Sequence, residues 1–128
     1  CWEFMARREN WVAYLQNTWV RPEDLRHYER WFSMAKLATR MHANPRRVVA
    51  AYARGRFHGN LLDLTEPSYA PLLRGYILDN QRFPDDWFQR TTRCDKACHR
   101  CAYCESVLEQ VLVSVEELLR GLQGGTTC

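Results

Sequence analysis

Four cysteines fall within eleven residues, in the run Cys94-Asp-Lys-Ala-Cys98-His-Arg-Cys101-Ala-Tyr-Cys104. Disulfide frameworks join distant segments, because closing a long loop removes more entropy from the unfolded chain. Cysteines three and four residues apart gain little that way, yet their sulfurs can all face one metal centre. Two centres compete for such a run. Zinc prefers two ligand pairs separated by a longer loop. A four-iron, four-sulfide cluster suits a compact multi-cysteine run, whose turns offer amide N–H groups to the sulfurs. The spacing therefore favours a 4Fe-4S cluster on Cys94, Cys98, Cys101 and Cys104, with zinc as the alternative and a metal-free or disulfide state third. Arg93, Lys96 and Arg100 lie among the ligands, where they can offset a cluster's negative charge. His99 is read as a solvated neighbour, and Cys1 and Cys128 sit at the two ends of the sequence.

The elements that position this run divide by composition. From residue 10 to 66 the pattern alternates strand and helix. Trp11 to Val20 reads as a strand, from its aromatic and β-branched residues. Pro22, Glu23 and Asp24 then open a helix over Glu23 to Trp31, with Leu25, Tyr28 and Phe32 at helical spacing. Met34 to Leu37 reads as a second short strand. Asn44-Pro45 opens a second helix, Pro45 to Arg54, which Gly55 ends. This alternation points to parallel βα units, and two such units do not close a sheet, so a fragment or a partner is expected. Residues 67 to 93, with Pro67, Pro71 and Pro84 among aromatics, read as a compact helical connector. After the cysteines comes an amphipathic helix, Glu105 to Arg120, ended by Gly121, and a mobile tail from Gly124 to Thr127.

The 128 residues carry 46% hydrophobic and 26% charged side chains, so the chain is expected to pack rather than stay disordered. A net charge of +3, from 16 Arg and 2 Lys against 15 acids, is too small to argue nucleic-acid binding by itself. No apolar run is long enough for a membrane-spanning helix, and no charged-then-apolar start suggests a signal peptide. The expected location is the cytoplasm, where thiols stay reduced.

The stretch Val20 to Tyr52 carries Asp24-Leu25, then Lys36-Leu37-Ala38-Thr39-Arg40-Met41, then Ala51-Tyr52. It resembles the U-thirty-two peptidase family of collagenase-like proteins, in which a Lys-Ile-Glu-Gly-Arg-Met strand stands between two such helices. The resemblance implies a helix-rich α/β fold: residues 1–66 as the last βα units of a (β/α) barrel-like domain, and residues 67–128 as connector, cysteine-cluster module and final helix. It also implies an iron–sulfur enzyme, acting in oxygen-independent hydroxylation or a related modification. The family's Glu-Gly is Ala38-Thr39 here, so a carboxylate is absent and proteolysis is not carried over. The first three cysteines also match the Cys-x3-Cys-x2-Cys pattern of radical S-adenosylmethionine enzymes, but no barrel follows them.

Lys36 and Arg40 remain as cations at the end of the presumed barrel strand, the side where barrel active sites gather. They are the candidate catalytic residues, and Arg21 the candidate substrate-binding residue. Equal weight falls on plain salt bridges at a strand end. The expected partners are the rest of the barrel or a partner subunit, with an anionic small molecule or RNA as substrate. The alternative function is a non-catalytic metal-binding module that recognises protein or RNA.

Overall fold

The computed structural model describes residues 2–17 and 19–123, without the side chain of Gln123. Cys1, Cys128 and the expected mobile tail, Gly124 to Thr127, lie outside the described residues. The α-helices are α1 (Trp2–Met5), α2 (Ala13–Gln16), α3 (Pro45–Arg54), α4 (Trp87–Thr92), α5 (Tyr103–Val111) and α6 (Val115–Gln123). Among the described residues one sheet is present, the antiparallel pair β1 (Tyr76–Leu78) and β2 (Leu112–Ser114). Short 3-10 turns connect these pieces, the longest being Pro22–His27.

The helix expected over Pro45 to Arg54 is α3. Asn44 Oδ1 accepts the Arg47 N–H at 3.1 Å, which satisfies one free donor of the first turn. Pro45 stands where no donor is needed. Gly55 ends the helix in the left-handed region at φ 62°, a conformation that costs a side chain with a Cβ. Val48 and Ala51 face the core.

Trp11 to Val20 is not a strand. Its buried residues are Trp11, Tyr14 and Leu15, spaced three and four apart, and that period makes a turn and α2 despite the β-forming composition. The expected helix from Glu23 to Trp31 shortens to the 3-10 segment Pro22–His27. The residues held inside there are Arg21, Pro22 and Asp24, whereas Trp31 and Phe32 are exposed, so no apolar stripe anchors a longer helix. Met34 to Leu37 belongs to no sheet. Between Ser33 and Ala38, no backbone N–H or C=O finds a partner among the described residues.

The final helix is broken in two. β2 pairs with β1 in the register Tyr76↔Ser114, Ile77↔Val113 and Leu78↔Leu112, which buries Val113 and Leu78 completely. Flanking bonds, Asp79 N–H to Val111 O and Val115 N–H to Gly75 O at 2.8 Å each, lock this register. Ser114 Oγ then accepts the Glu117 N–H at 3.0 Å and starts α6, which continues through Gly121 rather than stopping there. β1 itself was not foreseen in the proline-rich connector.

One core gathers side chains from both halves of the chain, with Trp11, Tyr14, Val48 and Leu61 beside Leu78, Trp87, Val107 and Val111. Residues 10–66 expressed alone therefore leave half of that core open to water, and they are expected to show no cooperative thermal transition; a sharp transition would refute this. A pH dependence follows from Tyr52, whose hydroxyl donates to Val20 O at 2.6 Å. Burial, with Glu23 and Asp24 nearby, pushes its pKa up to about 12. The fold favours the neutral phenol, so this contribution is intact below the ordinary value of about 10 and is lost as pH rises through about 12. Tyr52→Phe is expected to cost roughly 1 kcal/mol at neutral pH and to flatten the alkaline loss in denaturant titrations.

Candidate functional site

The cysteine run follows α4 and ends in the first turn of α5. Cys94 N–H donates to Thr91 O at 3.3 Å, continuing the end of α4. Lys96 takes a positive φ of 60°, and its N–H donates to Cys94 Sγ at 3.3 Å. Asp95 Oδ1 accepts the Ala97 N–H at 3.0 Å, and a 3-10 turn, Cys98–Arg100, carries the chain to Cys101. The loop therefore folds back on itself through its own side chains.

All four thiols line one pocket of about 500 Å³, together with Gln16, Arg90, Arg93 and Tyr103. Cys94, Cys98 and Cys101 are exposed and Cys104 is half-buried. Burial pushes the Cys104 thiol up, and the neighbouring Cys98, Cys94 and Cys101 push it the same way. Among the described residues no group of three or more His, Cys, Asp and Glu side chains converges closely enough for a single metal ion. A tetrahedral zinc shell would hold its sulfurs roughly 3.8 Å apart.

Below the pocket, Tyr103 fixes α5 to α4. Its hydroxyl donates to Asp86 Oδ1 at 2.9 Å, and the Arg90 guanidinium lies 4.5 Å from its ring centre. Burial and this hydrogen bond raise the Tyr103 pKa well above the ordinary phenol value. Trp87 stacks on Tyr103 at 6.1 Å, and Trp19 on Trp87 at 6.2 Å. The aromatic stack runs from the cysteine pocket into the core.

This chain is similar to an archaeal protein described as an uncharacterized protease. That relative, from Methanocaldococcus jannaschii, is 31% identical over 100 residues, which are 77% of this chain and 30% of the relative. The chain thus spans less than a third of the relative's length. No protein-family model matches the chain, and no solved structure matches it. No helix among the described residues is long and apolar enough to cross a membrane.

The three candidate cations are not brought together. Arg21 is only 8% exposed. Its Nε donates to Asn80 Oδ1 at 2.9 Å and its Nη2 to Asn80 O at 3.0 Å, with the guanidinium 4.5 Å from the Phe83 ring centre. Glu23 Oε2 answers its charge from 3.5 Å. Burial pulls the Arg21 pKa down, while Asp24 and Glu23 pull it back up. Asn80 closes the arrangement by donating to Glu23 Oε1 at 2.8 Å and to Phe57 O at 2.7 Å. Nε and Nη2 of this guanidinium are thus engaged within the fold, and Arg21 also lines a cavity of about 570 Å³ with Glu23, Asp24 and Asn80.

Lys36 and Arg40 are both exposed and form no ion pair among the described residues. Lys36 lines a second cavity of about 500 Å³, walled by Tyr14, Trp19, Leu37, Leu64 and Tyr69. Arg40 is not among its lining residues. Glu66 is, and sequence reading missed it because nothing in its spacing ties it to Lys36. Asn80 was missed for a similar reason: a lone Asn after an Asp reads as a turn residue. His42 takes a structural place, accepting the Asn44 N–H on Nδ1 at 2.9 Å and donating from Nε2 to Asp63 O at 2.8 Å.

Asn80→Ala leaves a buried guanidinium and carboxylate without their shared partner. It is expected to cost about 3 kcal/mol in urea unfolding. A loss below roughly 1 kcal/mol, the range of an exposed pair, would mean that the Arg21 contacts contribute little to the fold.

Proposed function

We propose that this chain is the cysteine-cluster part of an iron–sulfur enzyme of the collagenase-like type, with Cys94, Cys98, Cys101 and Cys104 holding one four-iron cluster. The observation that carries this reading is the four thiols around a single pocket of about 500 Å³. Soft thiolates select iron–sulfur clusters and zinc over harder-ligand metals, and the pocket has more room than one ion needs. The Lys96 N–H on Cys94 Sγ is the kind of bond that steadies a thiolate ligand. Arg90 and Arg93 supply positive charge at the same pocket, so the residues present fit the group.

When bound, such a cluster supplies one-electron exchange, which suits a hydroxylation that takes no oxygen from air. The chain's own residues hold and shield it. Tyr103, clamped between Asp86 and Arg90, fixes the start of α5 and with it Cys104. Lys36 and Arg40 offer cations to an anionic substrate, a small molecule or RNA. The Met34-to-Ala38 segment, whose backbone groups find no partner among the described residues, is read as a strand that pairs with chain outside this sequence, as in a barrel-like domain. The similarity to a longer archaeal protein supports that reading.

The alternative, a non-catalytic zinc module docking on protein or RNA, draws on α6, where Leu119 and Leu122 are exposed. Anaerobic purification separates the two. The proposal expects a brown protein with a broad visible shoulder and roughly four iron and four sulfide per chain. Each Cys→Ser change at 94, 98, 101 or 104 should lower the iron content sharply, while Cys128→Ser leaves it intact. A colourless protein with one zinc, or equal iron loss from Cys128→Ser, overturns it.

A further inference from the structure

We propose that the cavity lined by Lys36 and Glu66 binds a small zwitterion with an apolar body, of the aromatic α-amino-acid class. This site shares no residue with the cysteine pocket and does not depend on a cluster. Its volume of about 500 Å³ accommodates a ring and a short chain. Its walls carry Tyr14, Trp19, Leu37 and Tyr69, which favour edge and face contacts with another ring.

Two polar groups at this cavity lack an answer. Glu66 Oε1 accepts the Met41 N–H at 2.9 Å, but Oε2 is buried with no hydrogen-bond partner among the described residues. A buried carboxylate oxygen without a donor is costly, and a charged nitrogen donor relieves that cost best. Lys36 does not supply it, since its ammonium forms no ion pair with Glu66 and stays exposed. The ammonium of Lys36 in turn has no ion-pair partner among the described residues. One simple group answers only one of the two. An α-amino acid carries both answering groups, an ammonium for Glu66 and a carboxylate for Lys36, and leaves its side chain to the apolar walls.

Calorimetric titration of the full chain with three probes tests this: L-phenylalanine, phenethylamine, which lacks the carboxylate, and 3-phenylpropionate, which lacks the ammonium. L-phenylalanine is expected to bind about tenfold more tightly than either truncated probe. Glu66→Gln should weaken L-phenylalanine and phenethylamine about tenfold and leave 3-phenylpropionate unchanged. Lys36→Gln should do the reverse, weakening the two carboxylates and sparing phenethylamine. Lys36 is exposed, so its variant is expected to keep the wild-type melting temperature and decides the matter even if Glu66→Gln misfolds. The proposal is overturned if L-phenylalanine shows no saturable binding in the millimolar range, if all three probes bind alike, or if Lys36→Gln leaves all affinities unchanged.

Discussion

A buried guanidinium holds this small protein together. Arg21 stands where three stretches without long regular elements meet: the Pro22–His27 turn, the loop after α3, and the Asn80–Arg82 turn. Desolvating a charge is expensive, and hydrogen bonds with an opposite charge close by offset part of that cost. Asn80, fully buried, supplies several of those bonds by accepting from Arg21 and donating to Glu23 and to Phe57 O. Glu23 also accepts the Phe57 N–H at 2.7 Å. Polar side chains thus supply pairing that the two short strands among the described residues do not.

The parts of the fold legible in the sequence are those set by local chemistry. Asn44, Pro45 and Gly55 fix the bounds of α3 by capping and by backbone conformation, and those rules act within a few residues. The four cysteines line one pocket, as their close spacing in the sequence allows. The broken final helix is not legible, because its apolar residues satisfy a helical period whether or not the chain bends at Leu112. Only pairing with β1, some 35 residues earlier, decides the bend. Ser114 and Glu117 did offer a local sign, since Ser followed three residues on by Glu is a common helix opening. Arg21 shows the opposite limit: a cation beside Pro22 looks the same on paper whether Asn80 receives it or a substrate does.

The break at Leu112 shapes the cysteine pocket as well. α5 carries Cys104 at one end and runs straight into β2 at the other, so the most buried thiol rides on an element tied to the core. The other three sit on a loop held mainly by its own turns. The pocket is thus built from one element anchored in the core and one loop that depends mainly on its own hydrogen bonds.

The chain from Ser33 to Ala38 carries a further cost. An irregular backbone with unspent hydrogen-bonding capacity among the described residues, beside exposed Trp31, Phe32, Met34 and Met41, is a surface on which identical copies can stack. Lys36 and Arg40 interrupt that surface with like charges that repel the same residues on an approaching copy. Whatever else they bind, these two side chains act as gatekeepers against fibre growth. Solutions of this protein should accordingly be least tractable at high salt, where that repulsion is screened.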